Sequence, residues 1–202
     1  DSIQTIALQE AAKQAEAAAQ STQTLTLDST SLFFGANQGT EQFTTLENNL
    51  VKVTFSNKGG RVVSATLKDY NNQQGEPLTL FNEEESAMNF AFEGKIENIL
   101  TEDMFFLLMN VSYSTVTMRL QTTGAGYIDF AYRLLPESYL VNFDIRAVGM
   151  QNFFPAAQKT VNIDWSQLAR QQEKGFDFEQ RYTSLTYKPA DDGSDYLSEM
   201  KD

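Results

Sequence analysis

The sequence contains no cysteine and no histidine. Without cysteine the chain can form neither disulfides nor thiolate zinc sites, and it has no thiol nucleophile. Without histidine it lacks the imidazole on which catalytic triads and many general acid–base pairs depend. The absence of cysteine is compatible with an oxidising compartment, where a stray thiol is a liability. Together these absences exclude many common catalytic and metal-binding arrangements.

Basic residues are also scarce. The 202 residues include 15 lysines and arginines against 27 acidic residues, which gives a net charge of −12. Nucleic acids and anionic lipid surfaces are bound through clustered lysine and arginine, so this balance argues against both as partners. The composition indicates an acidic, soluble domain.

Long apolar runs are missing as well. The longest, "MFFLLM" at 104–109, is far shorter than the ~20 residues needed to span a bilayer. The sequence opens on Asp1 and shows no signal peptide. We therefore expect a segment of a longer protein.

Aromatic residues, by contrast, are abundant: 15 phenylalanines and 8 tyrosines make up most of a 12% aromatic content. Such side chains pack well on a pleated sheet and favour strands. Apolar and polar residues alternate in six segments, which lie at 49–56, 62–68, 115–121, 128–134, 139–147 and 160–165. Each of these predicted strands would have one buried and one solvent-exposed face, which is typical of antiparallel sheets.

The connections agree with this pattern. Short turn-like sequences at 122–126 and 136–138 predict a three-stranded meander over 115–147. A short helix is predicted at 166–175, ended by Gly175, and the first turn of another at 197–202. The sequence therefore predicts an all-β fold of two packed sheets with few short helices.

The first 43 residues differ from the rest. They are rich in Ala, Gln, Ser and Thr, and a helix over 3–20 would offer only Ile3, Ile6 and Leu8 to a core. We predict a spacer over 1–43, flexible from about residue 21, followed by a β-sandwich domain over 44–202. A packed N-terminal helix is the alternative.

The glycine pair Gly59–Gly60 in "FSNKGGRVVSATLKDYNN" raises the question of a phosphate-binding loop. Such a loop needs Lys and then Ser or Thr after its last glycine, and it opens a helix. Here Gly60 is followed by "RVVSATL", a strand pattern. The pair instead supplies the positive φ angles of a tight hairpin turn. The sequence predicts a hairpin and no phosphate site.

Two acidic segments are weak candidates for metal sites. "PADDGSDYLSE" at 189–199 groups Asp191, Asp192, Asp195 and Glu199, but its glycine places Lys188 and Ala190 where a calcium loop has its first ligands. We expect an exposed turn there, and a solvated loop at "NEEES", 82–86. No metal and no cofactor is predicted.

Paired carboxylates could in principle hydrolyse a glycosidic bond. Asp144, Asp164, Asp177 and Glu179 are candidates, but their spacing does not indicate that any two face each other. Asp144 and Asp164 occupy the polar side of their predicted strands, where solvated carboxylates are ordinary. We predict no catalytic residue.

Three aromatic residues are candidates for binding. Trp165, the single tryptophan, ends a predicted strand, where it would close the sandwich core or line a cleft for a sugar or peptide. Phe153 and Phe154 in "QNFFPA" would form an exposed contact patch or a packed corner. The sequence does not decide between an exposed patch and a packed corner for Phe153 and Phe154.

The order of these features resembles the large periplasmic domain of the YidC family of bacterial membrane protein insertases. A spacer precedes "LENNLVKVTFSNKGGRVVSATLKDY", and "YRLLPESYLVNFDIRAVGMQ" and "QEKGFDFEQRYTSLTYKP" follow. The most telling part is a strand, then "NKGGRV", then a strand ending "LKDY". The resemblance covers roughly residues 44–202.

The resemblance implies an antiparallel β-supersandwich, related in fold to galactose mutarotase. It implies a transmembrane helix before the spacer and a membrane core after the domain, with insertion performed by that core. It carries over no catalytic residue, and it implies contacts with accessory subunits of the Sec translocon and with emerging membrane proteins. Because mutarotases use a histidine acid, the absence of histidine removes their proton donor.

Three functional hypotheses follow. The first is a non-catalytic periplasmic docking or scaffold domain of a membrane protein insertase, which assists insertion and folding of inner-membrane proteins with the Sec translocon. The second is a carbohydrate-binding module on a mutarotase-like sandwich. The third is a structural domain that positions the C-terminal helix against the membrane.

Overall fold

The computed structural model describes residues 29–158, 160–172, 175, 181, 184–191 and 193–197. In this part of the chain every strand pairing is antiparallel, and the helical residues are the short 3₁₀ turns Phe34–Asn37 and Glu83–Glu85 together with Arg181. The all-β prediction is confirmed. The spacer helix proposed for 3–20 lies outside the described residues.

The first sheet has four strands in chain order. They are β1 (Phe43–Glu47), β2 (Val51–Ser56), β3 (Arg61–Asn71) and β4 (Pro77–Phe81). The predicted alternation holds in β2, where Val51, Val53 and Phe55 are buried. This sheet supplies one wall of the core.

The second sheet is a meander in the order β10-β9-β8-β7. Its strands are β7 (Leu107–Val111), β8 (Thr115–Gln121), β9 (Tyr127–Leu134) and β10 (Val141–Val148). The predicted meander over 115–147 is confirmed, and β7 extends it. Alternate residues of β8 and β9 form its buried face, namely Val116, Met118, Leu120, Ile128, Phe130, Tyr132 and Leu134.

The remaining strands form two smaller sheets. A three-stranded sheet has the order β11-β5-β6 and a two-stranded one pairs β12 with β13. Their strands are β5 (Ser86–Glu93), β6 (Asn98–Leu100), β11 (Asn162–Gln167), β12 (Leu185–Tyr187) and β13 (Asp195–Leu197).

Aromatic contacts join the sheets into one core. Phe130 of β9 packs against Phe90 of β5 with ring centroids 4.7 Å apart, and against Phe106 at 4.8 Å. Tyr132 of β9 packs against Phe55 of β2 at 4.7 Å. Such contacts add about 0.5–1.5 kcal/mol each to the hydrophobic burial. The second sheet therefore faces both the first and the third, as a sandwich requires.

The Gly59–Gly60 pair turns the hairpin between β2 and β3, as predicted. Both residues have positive φ, +77° and +63°. The turn is also tied to the segment before β7, since the Gly59 amide donates to the Met104 carbonyl at 2.8 Å. A side chain at Gly60 would place its Cβ 2.9 Å from Cδ2 of Phe130. The turn needs glycine for its backbone angle and for its close packing.

The core extends into the predicted spacer. Phe33 is fully buried, and its ring meets that of Phe153 edge-on at 5.4 Å. Phe153 in turn contacts Phe154 at 4.9 Å, and Phe154 packs against Phe92 of β5 at 6.0 Å. "QNFFPA" is therefore a packed corner, which decides between the two interpretations of this segment. The boundary at residues 43 and 44 stays a prediction.

One local prediction was wrong. The segment proposed as a helix at 166–175 begins inside β11, where Ser166 and Gln167 continue the pairing with β5, and residues 168–172 are not helical. Strand pairing prevails there over local helix preference. The helix turn proposed at 197–202 falls almost wholly outside the described residues, of which only Leu197, the end of β13, belongs to it.

Candidate functional site

An apolar cleft of about 510 Å³ lies between the first sheet and residues near β5, β10 and β11. Its most buried lining residues are Val51, Val53 and Phe81. The other lining residues are Val62, Ala65, Leu67, Tyr70, Leu80, Met88, Tyr139, Val141 and Trp165. None of these side chains carries a charge, so the cleft suits a hydrocarbon ligand group.

Three aromatic side chains stand at this cleft with much of their surface in solvent. Tyr70 is 53% exposed, Tyr139 is 45% exposed and Trp165 is 61% exposed. Partial burial, together with nearby Tyr70 and Asp69, raises the pKa of the Tyr139 hydroxyl above its ordinary value. Exposed aromatic rings give large contact area at a low cost in conformational entropy, which makes such a rim suited to binding.

An acidic cleft of about 760 Å³ adjoins the first. Its charged lining residues are five carboxylates and two cations: Glu41, Glu83, Glu102, Asp103 and Asp164 against Lys58 and Arg61. The cations are already engaged, because Lys58 lies 3.1 Å from Asp103 and Arg61 lies 4.0 Å from Glu83. The cleft therefore keeps an excess of negative charge.

The effect of this excess negative charge is seen in the pKa of Glu83, which lies near Glu41. Partial burial and the nearby Glu41 carboxylate raise the pKa of Glu83, and they outweigh the opposing effect of Arg61. Glu41 itself accepts a 2.5 Å hydrogen bond from the Ser56 hydroxyl. The two carboxylates repel each other, and an added cation would relieve that repulsion.

Met88 and Trp165 line both clefts. They are register partners in the antiparallel pair of β5 and β11, which places them side by side on the sheet. We call the apolar cleft and the acidic cleft, joined at these two residues, the two-part groove.

The prediction that Trp165 closes the core was wrong, because its ring is 61% exposed. Every residue of β11 is exposed, so this strand has no core face, and Ile163 is 50% exposed on the same side as Trp165. Trp165 instead lines two clefts, and a sugar or peptide as their ligand stays a prediction.

The candidate carboxylates are dispersed. Asp144 is exposed on β10 in the second sheet, whereas Asp164 lies on β11 and lines the acidic cleft. Asp177 and Glu179 lie outside the described residues, as do Asp192 and Glu199 of the acidic C-terminal turn. The structure does not bring the two described candidates, Asp144 and Asp164, to one site.

"NEEES" is more ordered than a solvated loop. Asn82 caps a short 3₁₀ turn, and the Glu85 carboxylate returns to accept from the Asn82 amide at 3.0 Å. Glu85 also accepts 2.7 Å hydrogen bonds from Arg170, which lower its pKa. Only Glu83 and Glu84 are exposed, as predicted for the whole run. Across the described ranges, no group of three or more Asp and Glu residues is placed to hold a metal ion.

A family model matches residues 44–201, and its description is YidC periplasmic domain. The chain belongs to the YidC periplasmic domain family. Its location is therefore periplasmic, as the resemblance implied. Within the described part of the chain, no helix is both long and apolar enough to cross a bilayer.

Curated relatives agree with the family assignment. The chain is 69% identical over 204 residues to the membrane protein insertase YidC of Phocaeicola vulgatus, covering 100% of this chain and 33% of that protein. It is 47% identical over 205 residues to YidC of Bacteroides fragilis, with the same coverage. To YidC of Parabacteroides distasonis it is 39% identical over 172 residues, which cover 84% of the chain and 27% of that protein. The chain thus spans about a third of these relatives. No solved structure matches.

Sequence reasoning missed most of the two-part groove. Glu41 precedes β1, Arg61 begins β3, and Glu83 follows β4, so no local spacing links them. The apolar half draws on similarly distant segments. The usable signals were Trp165, whose interpretation as a cleft residue points to the correct place, and the candidate carboxylate Asp164 beside it.

Proposed function

We propose that this chain is a docking and scaffold domain without catalytic activity, which assists insertion and folding of inner-membrane proteins in a YidC insertase together with the Sec translocon. The two-part groove carries the proposal, since it offers an apolar surface and a charged surface side by side. The relatives' name, membrane protein insertase, supports it from outside the structure.

The residue types favour binding over catalysis. The chain has no histidine or cysteine, and three exposed aromatic residues, Tyr70, Tyr139 and Trp165, line a cleft without charged side chains. A rigid sandwich with aromatic residues around an apolar cleft provides what a docking site needs: pre-organised contact area and little ordering on binding.

Photo-crosslinking in living cells tests this proposal. A crosslinkable residue is placed singly at Tyr70, Tyr139 or Trp165 in the full-length parent protein, and at Ile96 and Tyr113 as matched controls that are 97% and 84% exposed. We expect discrete crosslinks to translocon subunits or emerging membrane proteins from the groove positions and none from the controls. Equal labelling at all five positions, or no protein crosslinks, would contradict docking through the groove.

Carbohydrate binding is the second candidate. An exposed indole beside carboxylates and the Asn89 amide gives both an apolar face and polar partners for hydroxyl groups. Saturable binding of a defined sugar, lost in Trp165→Ala and kept in Tyr113→Ala, would favour this candidate over protein docking.

A further inference from the structure

The two halves of the groove differ in chemistry but meet at one pair of side chains. The apolar cleft is lined by uncharged residues, and the acidic cleft by five carboxylates against two cations, with Met88 and Trp165 common to both. A ligand that fills both must present hydrocarbon on one side of Trp165 and positive charge on the other. This requirement narrows the class of ligand more than either cleft alone.

We propose that the two-part groove binds a peptide segment in which apolar side chains adjoin lysine or arginine. Each cleft by itself has the volume of a whole small-molecule site, about 510 Å³ and 760 Å³, so the pair suits a chain rather than a compact molecule. An anionic lipid or a nucleic acid would meet repulsion in the acidic half and from the net charge of −12.

The carboxylates of the acidic half leave room for added cations. Lys58 and Arg61 pair with Asp103 and Glu83, and no salt bridge is formed by Glu41, Glu102 or Asp164 among the described residues. Glu102 and Asp164 are exposed and Glu41 is half-buried, so an incoming ammonium or guanidinium group can reach them. Trp165 adds an aromatic face to the acidic half. Among aromatic side chains, tryptophan forms the most favourable cation–π contacts with lysine and arginine.

This inference rests on the proposed docking function for the source of the peptide. Membrane proteins awaiting insertion supply apolar segments, and the groove would select those with lysine or arginine beside them on the periplasmic side, where such residues are fewer than in cytoplasmic loops. The groove's preference can nevertheless be measured on the chain alone.

Trp165 is the single tryptophan, so its fluorescence reports directly on the junction of the groove. Three synthetic peptides without Trp or Tyr are titrated: leucines followed by two lysines, leucines followed by two glutamates, and serines followed by two lysines. We expect saturable binding of the first with a blue shift of the emission. The other two should bind about tenfold more weakly at low salt, the size expected for losing two partly exposed charge pairs or the apolar contact.

Variants locate the effect. Glu41→Gln with Glu102→Gln should weaken the lysine peptide about tenfold, whereas Asp144→Asn with Glu76→Gln removes as much charge outside the groove and should leave binding unchanged. Tyr70→Ala should weaken binding, while Tyr113→Ala should not. Circular dichroism melts of each variant confirm that it folds.

Calorimetry repeats each titration so that binding away from Trp165 is also detected. No binding, equal binding of the lysine and glutamate peptides, or calorimetric binding without a Trp165 shift would each overturn the proposal. If the peptides behave as expected but the groove positions give no crosslinks in cells, the docking function fails and the binding preference stands. If crosslinks form while the peptides bind equally, docking stands and this inference fails.

Discussion

The phenolic hydroxyl of Tyr132 donates a 2.7 Å hydrogen bond to the backbone carbonyl of Gly60, which lies 72 residues earlier in the chain. Both residues are buried, and the bond joins the second sheet to the hairpin turn of the first. Burial raises the pKa of the Tyr132 hydroxyl, so the group remains a protonated donor at neutral pH. A polar contact inside the core therefore fixes how the two sheets meet.

Replacing Tyr132 by Phe removes this hydroxyl and keeps the ring contacts. We expect Tyr132→Phe to lower the free energy of unfolding by about 1–3 kcal/mol, because the buried Gly60 carbonyl loses this donor. Urea unfolding followed by circular dichroism measures the change. Tyr113→Phe is the control, since Tyr113 is 84% exposed and its variant should stay within about 0.5 kcal/mol of the parent. Equal stability of the two variants would refute a role for this bond.

Alanine substitutions at two glycines with positive φ, Gly75 and Gly60, distinguish the energetic cost of backbone strain from that of a steric clash. At Gly75, with φ of +82°, an added Cβ meets nothing within 4 Å, so Gly75→Ala should cost about 1–2 kcal/mol from strain alone. At Gly60 the added Cβ would also lie 2.9 Å from Phe130 and 3.1 Å from Phe106. We expect Gly60→Ala to cost at least about 1 kcal/mol more than Gly75→Ala. Paired thermal melts give the difference, and a smaller loss at Gly60 would show that the aromatic rings give way.

The Asn48 side chain ties the turn after β1 to the loop between β9 and β10. Its Nδ2 donates to the carbonyls of Leu135 at 2.8 Å and Ser138 at 2.7 Å, while its Oδ1 accepts from the amides of Leu50 and Val51. Asn48→Asp keeps the shape but removes both donated bonds and sets a carboxylate against two carbonyl oxygens.

We expect Asn48→Asp to destabilise the fold by about 2–3 kcal/mol, since each lost bond contributes about 1 kcal/mol. The matched control is Asn142→Asp on β10, where the side chain is exposed and the substitution adds the same charge. Chemical denaturation at neutral pH measures both. A loss at Asn142 as large as at Asn48 would assign the effect to net charge instead.

Glu83 and Glu85 should give opposite pH dependences although only Glu84 separates them. The hydrogen bond from Arg170 lowers the pKa of Glu85, so its stabilisation is present above the unfolded pKa and is lost as pH falls through the folded value. Burial and Glu41 raise the pKa of Glu83, so its contribution is favourable below the unfolded pKa and is lost as pH rises through the folded value.

Glu83→Gln should therefore be more stable than the parent chain at neutral pH, and the advantage should vanish below the ordinary pKa of a glutamate, where the parent carboxyl is protonated in the folded and the unfolded chain. Glu85→Gln should be less stable at neutral pH, with the deficit shrinking as the medium becomes acidic. Melting temperatures across this range test both signs at once. Parallel curves for the two variants would contradict the assignment.

The sequence predicted the strands whose apolar face meets the core. In β8 the alternation of Val116, Met118 and Leu120 matches the buried face residue for residue. The same signal was misleading at β11, where Ile163 and Trp165 alternate but are exposed. Alternation reports that a strand has an apolar face, and it does not say whether another sheet covers that face.

The candidate site was largely beyond sequence reasoning for a related reason. The groove assembles side chains from segments before β1, in β3, after β4 and in β11, and the topology that brings them together is set by long-range pairing. A local motif needs its residues at fixed spacing. The tryptophan stood out without such a motif, because its residue type suits a cleft wherever the chain places it.

The contact between Phe33 and Phe153 has a consequence for how the chain acquires its structure during export. If it crosses a membrane amino end first, Phe33 emerges long before its partner, and the core position between them stays open meanwhile. Contacts between residues this far apart in sequence form slowly, and the apolar surface around Phe33 stays exposed until Phe153 arrives. We therefore expect the fold to be completed only after the whole segment has been delivered. A pause before residue 153 would leave an aggregation-prone, protease-sensitive intermediate.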